Sequence, residues 1–598
     1  MGGRCAALAA GLVALALCLI GLDWGLPSRF HPDEKADVVA AMVREHRLLP
    51  DSYVNPSLPL HLTAPLVAVQ ALAGSRLPEP WSDPLLAARA LAAVLTGLAV
   101  LLLGTTAERA TPGTGALAAF LLALAPGVVN LGHFATPEPW VLAAATLVLW
   151  SAVRHLEGRT PAWALGAALG LAASTKYTAA ALAAPALAAV WLRRRQPSGR
   201  GDRFAWGAAG TAALAAGAWL AAPPGASLAA SLHLKDLRLL HPESARAFVQ
   251  ALARGCLATG AIALALALLA SWPRTARWAG VVVRREAVVL ALAAGLAFLL
   301  GTPGAALEPR AFLSDLAFNA QTRHEYKGLV GEATSFLPYL RLSAEALTLP
   351  VLAAAIVGLV LALERAWRGR RLLVVVALAA LAPYLLVASS GHRAMRFVAP
   401  ALPAAAWLAA LALRQLPARR ARPVLAAAVL ARSALAAVLV VRLFLVDSRL
   451  SAERWMEANI PPGSTIDLLA NHPGYLPRVP DGREGRVLRT LSREMAPAER
   501  FEAAARALPA EAAPWLVTTA AFYDRFLDNP DQMPERTRFF RALLGGRAGF
   551  HVLARFRQRG WLRPPAEFLD PEIVILGRDE PAPGRASSSG PRARPDPD

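Results

Sequence analysis

Long apolar runs recur along almost the whole chain, and no other feature limits its fold as strongly. Residues 6–22, 84–103, 346–363 and 372–388 are long enough, or nearly so, to cross the roughly 30 Å hydrocarbon layer as helices. They are rich in Ala and Leu, which suits helices, and they lack the alternation that strands of a membrane barrel need. Of the 598 residues, 56% are hydrophobic and 17% charged, an apolar share above that of an ordinary soluble domain. The expectation is a mainly α, polytopic membrane helix bundle.

A formal net charge of +20 would point to nucleic acid in a soluble protein. Here most of the excess sits in short loops between apolar runs, where Lys and Arg set orientation, so no nucleic-acid partner is expected. Cys5, Cys18 and Cys256 fall in or beside apolar runs and offer neither a disulfide framework nor a metal-ligand spacing. The N-terminus has the outline of a signal peptide. Its apolar core at 6–22 is longer than the ~7–15 residues of a cleaved signal, so an uncleaved first helix is the better reading.

The run at 58–72 is short and interrupted by Pro59, His61 and Pro65, and is read as lying along the membrane surface. Later crossings then fall near 84–105, 115–131, 138–153, 162–174, 177–192, 204–222, 248–271, 286–302, 346–363, 372–389, 397–413 and 423–447, making about thirteen helices with the first. The Arg-rich loops at 109, 154–159, 193–203, 274–285, 365–371 and 414–422 all reach one face, taken as cytoplasmic. The opposite, outer face receives loop 23–72, residues 132–140, Lys176, residues 223–247, 303–340 and 391–396, and everything after 447. The weakest joint is 162–174 with 177–192, since merging them would flip every later loop.

Residues 448–578 change character. A helix at 451–459 with Trp455 facing inward, strands at 465–469, 515–519 and 572–576, and a helix near 498–508 describe a small soluble α/β domain on the outer face. The Pro-, Ser- and Arg-rich tail at 579–598 reads as disordered. No fixed-period repeat, phosphate-binding loop, dinucleotide fingerprint or two-His zinc helix is present in the sequence.

Chemistry concentrates in two proline-flanked acidic loops. In Ser28-Arg29-Phe30-His31-Pro32-Asp33-Glu34-Lys35, Pro32 is expected to start an amphipathic helix through Arg47, with Asp33 and Glu34 in its first turn. Helix capping explains such a pair as well as catalysis does. The second loop, His133-Phe134-Ala135-Thr136-Pro137-Glu138, puts another carboxylate at a helix start on the same face, where a shared acidic pocket can offer a general base. Lys176 and Tyr177 sit between two short apolar runs, where an ammonium either snorkels to the interface or meets an anion. His392, Arg393 and Arg396 put positive charge on the outer face, against the usual bias, which favours a phosphate partner. Arg310, Arg323, His324, Tyr326 and Lys327 are further polar candidates, better read as a solvated loop.

These features in this order resemble the lipid-carrier-dependent glycosyltransferases of GT-C architecture, especially the protein mannosyltransferase and aminoarabinose transferase relatives of glycosyltransferase family 39. The pieces that carry the resemblance are His31-Pro32-Asp33-Glu34, residues 55–60, Ala88-Arg89-Ala90-Leu91, residues 133–138, Ser174-Thr175-Lys176-Tyr177, residues 392–403 with Arg396, and Glu453-Arg454-Trp455 through Pro461-Pro462-Gly463-Ser464. The resemblance implies a hexosyl- or pentosyltransferase that moves a sugar from a polyprenyl-phosphate carrier to a protein, lipid or glycan hydroxyl. It implies Asp33 as general base with Glu34 beside it as the catalytic pair. Lys176 and Arg396 would hold the carrier phosphate, and His31, His133, Glu138, Tyr177, His392 and Arg393 would line the substrate site. Glu138 stands where many relatives have Asp, and the resemblance leaves open whether a divalent cation takes part. It also implies an integral protein of a bacterial inner membrane, acting in the cell envelope. The competing reading is a transporter or flippase for a lipid-linked glycan, which would place its ionisable groups at the bilayer midplane, on broken helices recurring in paired halves. The candidate acids instead gather at one face.

Overall fold

The computed structural model describes residues 2–73, 80, 82–193, 199–234, 240–272, 274–275, 279, 281–323, 325–326, 329–330, 335–416, 420–494, 496–558 and 564–579. Apart from Asp579, the tail expected to be disordered lies outside the described residues, as do His324 and Lys327. The chain divides into two compact units, one of residues 1–446 with 559–569 and the other of residues 447–558 with 570–598.

The first unit is a polytopic helix bundle. It opens with α1 (Gly2–Leu19), α2 (Ala36–Arg44), α3 (Leu58–Ala73), α4 (Pro84–Ala110), α5 (Gly115–Ala123), α6 (Pro126–Gly132), α7 (Pro137–Leu156), α8 (Ala162–Thr175) and, after a 3-10 turn Tyr177–Leu182, α9 (Ala183–Leu192). Among the described residues seven helices are long and apolar enough to cross a membrane, among them α4, α7, Pro242–Ser271 and Leu349–Trp367. A helix also forms at each of the other expected crossings, several of them shorter than a full span. The run at 58–72 is a helix of 16 residues, about 24 Å long, which is short of the ~30 Å apolar layer.

At the crossing expected at 115–131, α5 and α6 together are long and apolar enough for a span, with a bend of 60° between them. Pro126 opens α6 without a backbone N–H to give to the preceding turn, so the helix breaks there. One expectation is corrected: the helix expected from Pro32 starts only at Ala36, with Lys35 as its N-cap residue. Asp33 and Glu34 therefore precede the helix, and capping does not account for them.

Small residues let the helices close up. An added Cβ on Gly11 of α1 would lie 2.9 Å from the carbonyl oxygen of Gly97 on α4, and the reverse contact is equally tight. The core between them is built of residues such as Ala7, Ala14, Val100 and Leu103, with Trp407 buried and its indole N–H donating to Thr111 Oγ1 at 2.8 Å. A two-stranded ladder, β1 (Glu325–Tyr326) with β2 (Leu329–Val330), completes the unit.

The second unit is a small α/β domain. Its five-stranded sheet has the order β4 (Glu484–Val487), β3 (Thr465–Leu469), β5 (Trp515–Thr519), β7 (Ile573–Arg578), β6 (Phe550–Phe556). β3 runs parallel to both of its neighbours, and β7 antiparallel to its two. The buried faces of β5 and β7 carry Leu516, Val517, Ile573 and Ile575. Asp467 of β3 is fully buried and is matched there by Arg486 Nε at 2.6 Å and the Ala513 N–H at 2.8 Å. Trp455, on helix Ser448–Asn459, is half-buried with its ring 6.4 Å from that of Phe556.

Candidate active site

The first loop is held from two sides. At one end Arg89 of α4, fully buried, makes a bidentate pair with Glu34, Nε to Oε1 and Nη2 to Oε2 both at 2.8 Å. Its remaining nitrogen donates to the carbonyl oxygens of Leu22 and Trp24 at 2.8 and 2.7 Å. Glu34 Oε1 also accepts the Ala135 N–H at 2.9 Å, so one carboxylate ties the first loop to the second acidic loop. Charge-assisted, doubly bonded pairs of this kind are among the strongest side-chain contacts and fix orientation.

Farther along, Tyr53 is fully buried, and its N–H donates to Asp315 Oδ2 at 2.5 Å and its hydroxyl to Glu308 Oε2 at 2.8 Å. Burial, and then the Glu308 carboxylate, push the Tyr53 hydroxyl above its ordinary pKa, so it stays a proton donor. Asn319 Nδ2 donates to the Val54 carbonyl at 2.9 Å. Tyr177 joins this clamp, its hydroxyl donating to the Tyr53 carbonyl at 2.7 Å.

Between the two clamps Asp33 is left accessible. Its side chain is 49% exposed, against 2% for Glu34, and it lines a cavity of about 360 Å³ with Asn55, Thr136 and Trp140. Arg396 Nη2 lies 3.6 Å from Asp33 Oδ2. Arg396 lies in the 3-10 turn Met395–Ala401 before helix Leu402–Gln415 and is flanked by Phe397 and Phe568, whose ring centres lie 5.4 and 5.1 Å from its guanidinium carbon. On its other nitrogens it meets Glu567, Nη1 to Oε2 at 3.4 Å and the backbone N–H to Oε1 at 3.3 Å.

The remaining expected site residues are distributed as follows. Glu138 and Lys176 are both buried and form an ion pair, with the ammonium 4.8 Å above the Phe397 ring. Lys176 reaches this position because the chain is extended between α8 and the following 3-10 turn. Glu138 does not line the cavity at Asp33, although its neighbours Thr136, Pro137 and Trp140 do. His31 is buried between the rings of Phe134 and Phe568, at 4.3 and 4.1 Å, and its Nδ1 accepts the Asp33 N–H at 3.1 Å. His133 stacks on Phe444 at 3.8 Å, with its two ring nitrogens 2.6 Å from the Val129 carbonyl and 3.0 Å from the Ile20 carbonyl. Tyr339 donates to the His392 carbonyl at 2.8 Å, and Arg393 Nε donates to Ser335 Oγ at 2.9 Å. Thus Asp33 and Arg396 come together, with His31 directly behind Asp33. His133 and Tyr177 instead bond to backbone carbonyls of neighbouring segments.

Sequence reading missed Glu567, Asn130 and Asp315, and named Arg89 without its partner. Arg89 had a signal, an arginine inside an apolar run, which is costly unless paired. Glu567 had none, since it meets Arg396 across 171 positions of chain. Among the described residues no group of three or more His, Cys, Asp or Glu side chains is placed to hold a metal ion.

Residues 81–220 match the family model of dolichyl-phosphate-mannose-protein mannosyltransferases. Over that stretch the chain is similar to GT-C glycosyltransferases. The match includes Arg89, Glu138 and Lys176, and excludes Asp33 and Arg396. No curated protein matches the chain significantly. Similar solved structures include the apo oligosaccharyltransferase of Archaeoglobus fulgidus, at 13% identity over 88% of this chain and 72% of that one, with a TM-score of 0.44. Another is ArnT of Cupriavidus metallidurans bound to undecaprenyl phosphate, at 15% identity over 95% and 97% of the two chains, with a TM-score of 0.42.

Proposed function

We propose that this membrane protein transfers a sugar from a polyprenyl-phosphate donor to an acceptor hydroxyl, at the outer face of a bacterial inner membrane. The observation that carries the proposal is an accessible carboxylate lining the cavity, Asp33, beside a guanidinium, Arg396, 3.6 Å away. The carboxylate accepts the acceptor's proton as its oxygen attacks the anomeric carbon. The bond from that carbon to the phosphate oxygen breaks with inversion, and the carrier phosphate leaves as an anion beside Arg396. The proton then passes from Asp33 to water. Because the leaving group is a stable anion, the protein chiefly has to position the hydroxyl, remove its proton and balance charge.

Under this proposal Glu34 is a positioning residue in place of the catalytic one expected from sequence, because its oxygens are engaged by Arg89 and the Ala135 N–H. Lys176 likewise supports from behind, its charge met by Glu138. In membranes supplied with labelled polyprenyl-phosphate sugars, Asp33→Asn is expected to lower transfer by about 10²–10⁴-fold, the usual contribution of a general base. Unchanged transfer by a folded Asp33→Asn protein removes the mechanism, and transfer of no donor by the wild type favours a carrier.

A further inference from the structure

The seat that would receive the donor phosphate is already filled by an internal anion. Residues 559–569 belong with the first unit, although the chain on both sides of them belongs to the second. Within this segment Glu567 is fixed through its backbone: its N–H donates to Asn130 Oδ1 at 2.9 Å, and Asn130 Nδ2 donates back to its carbonyl at 3.3 Å. Asn130 is fully buried on α6, so the anchor is rigid. The next residue, Phe568, has φ +64°, a left-handed conformation that a bulky side chain adopts only under restraint. The contacts of its ring with His31 and Arg396 supply that restraint. The segment is built to hold this pose.

Its carboxylate is held less tightly than its backbone. The contacts of Glu567 with Arg396 are long, 3.3 and 3.4 Å, and the side chain is partly exposed. Two carboxylates, Asp33 and Glu567, thus address one guanidinium, while Lys176 is matched by Glu138 and Arg89 by Glu34. A donor phosphate adds another negative charge at Arg396, and like charges that close are unfavourable. Asp33 has to stay to take the proton. Glu567 takes no part in the proton transfer, so it is the group that can give way.

We infer that Glu567 is a placeholder for the donor's phosphate and a determinant of donor specificity: its carboxylate occupies the anion seat on Arg396 and yields only to a lipid that brings its own anion. The inference rests on the assignment of the donor phosphate to Arg396. Binding of a polyprenyl monophosphate, and of the unphosphorylated polyprenol, to the full-length protein in detergent tests it. Glu567→Gln keeps the shape and removes the charge, so it is expected to tighten the monophosphate about five-fold and leave the polyprenol unchanged. Glu567→Asp, which withdraws the carboxylate by one methylene, is expected to tighten it by a smaller factor, and thermal unfolding checks that both variants fold. Weaker or unchanged monophosphate binding by folded Glu567→Gln overturns the inference, as does equal tightening of both lipids. Arg396→Ala separates the two levels. If it weakens the monophosphate while Glu567→Gln does not tighten it, only the placeholder falls; if it changes nothing, the phosphate assignment itself falls.

Discussion

Asp33 and Glu34 are chain neighbours with opposite surroundings, and Arg89 makes the difference. A guanidinium with every nitrogen bonded, buried in an apolar helix, commits one carboxylate and thereby turns the other toward the cavity. Removing one member of a buried pair leaves a charge in a medium that solvates it poorly, so Arg89→Met is expected to destabilise the protein by about 3–5 kcal/mol. Thermal unfolding in detergent measures this. The double variant Arg89→Met with Glu34→Leu is expected to recover much of the loss, because the stranded charge is gone. A single variant as stable as wild type contradicts the positioning role of Glu34. The pair Asp33-Glu34 was legible in the sequence as chemistry-bearing, but its division of labour was not. That depends on a partner 55 positions away, and no local pattern records which of two adjacent carboxylates a distant arginine will take.

The first loop works as an element because it is clamped at both ends. At the far clamp, space is as decisive as hydrogen bonding: a Cβ on Gly304 would lie 2.2 Å from the Tyr53 ring. Gly304→Ala therefore has to push Tyr53 off Glu308 and Asp315, carrying with it Ser52, Val54 and Asn55, which line the Asp33 cavity. The expected outcome is a transfer rate lowered about ten-fold or more by misplaced acceptor, with the bundle still folded. Rates near wild type in a transfer assay with labelled donor set this clamp aside as merely structural. Elements that patterned themselves were legible, such as the apolar run that became β5 and the crossings built of Ala and Leu. Others had no pattern to read. β4 is exposed along its length and carries Glu-Gly-Arg-Val, and the late start of α2 at Ala36 follows from Glu34 being drawn to Arg89, a tertiary contact that overrides the helix signal of Pro32.

For the molecule as a whole, the reading of the site requires that the loops carrying Asp33 and Arg396 share a face, opposite the Arg-rich loops. The bundle itself was legible because apolar length is written locally, whereas the return of residues 559–569 to the first unit is not. Sidedness follows from charge bias, and the bias hinges on whether α8 and α9 are separate crossings. Each is shorter than a full span, and the chain between them is extended at Lys176. In a protein with Cys5, Cys18 and Cys256 replaced by Ala, single cysteines at Asp51 and at Glu484, both exposed, are expected to react with a membrane-impermeant maleimide on intact cells. Cysteines at Arg159 and at Arg370, also exposed, are expected to react only after lysis. The informative failure is a split between the last two. If Arg159→Cys is protected while Arg370→Cys labels from outside, α8 and α9 form one crossing and every later loop reverses. Asp33 and Arg396 then belong to opposite faces, and the 3.6 Å pair on which the transferase mechanism stands cannot exist in the membrane.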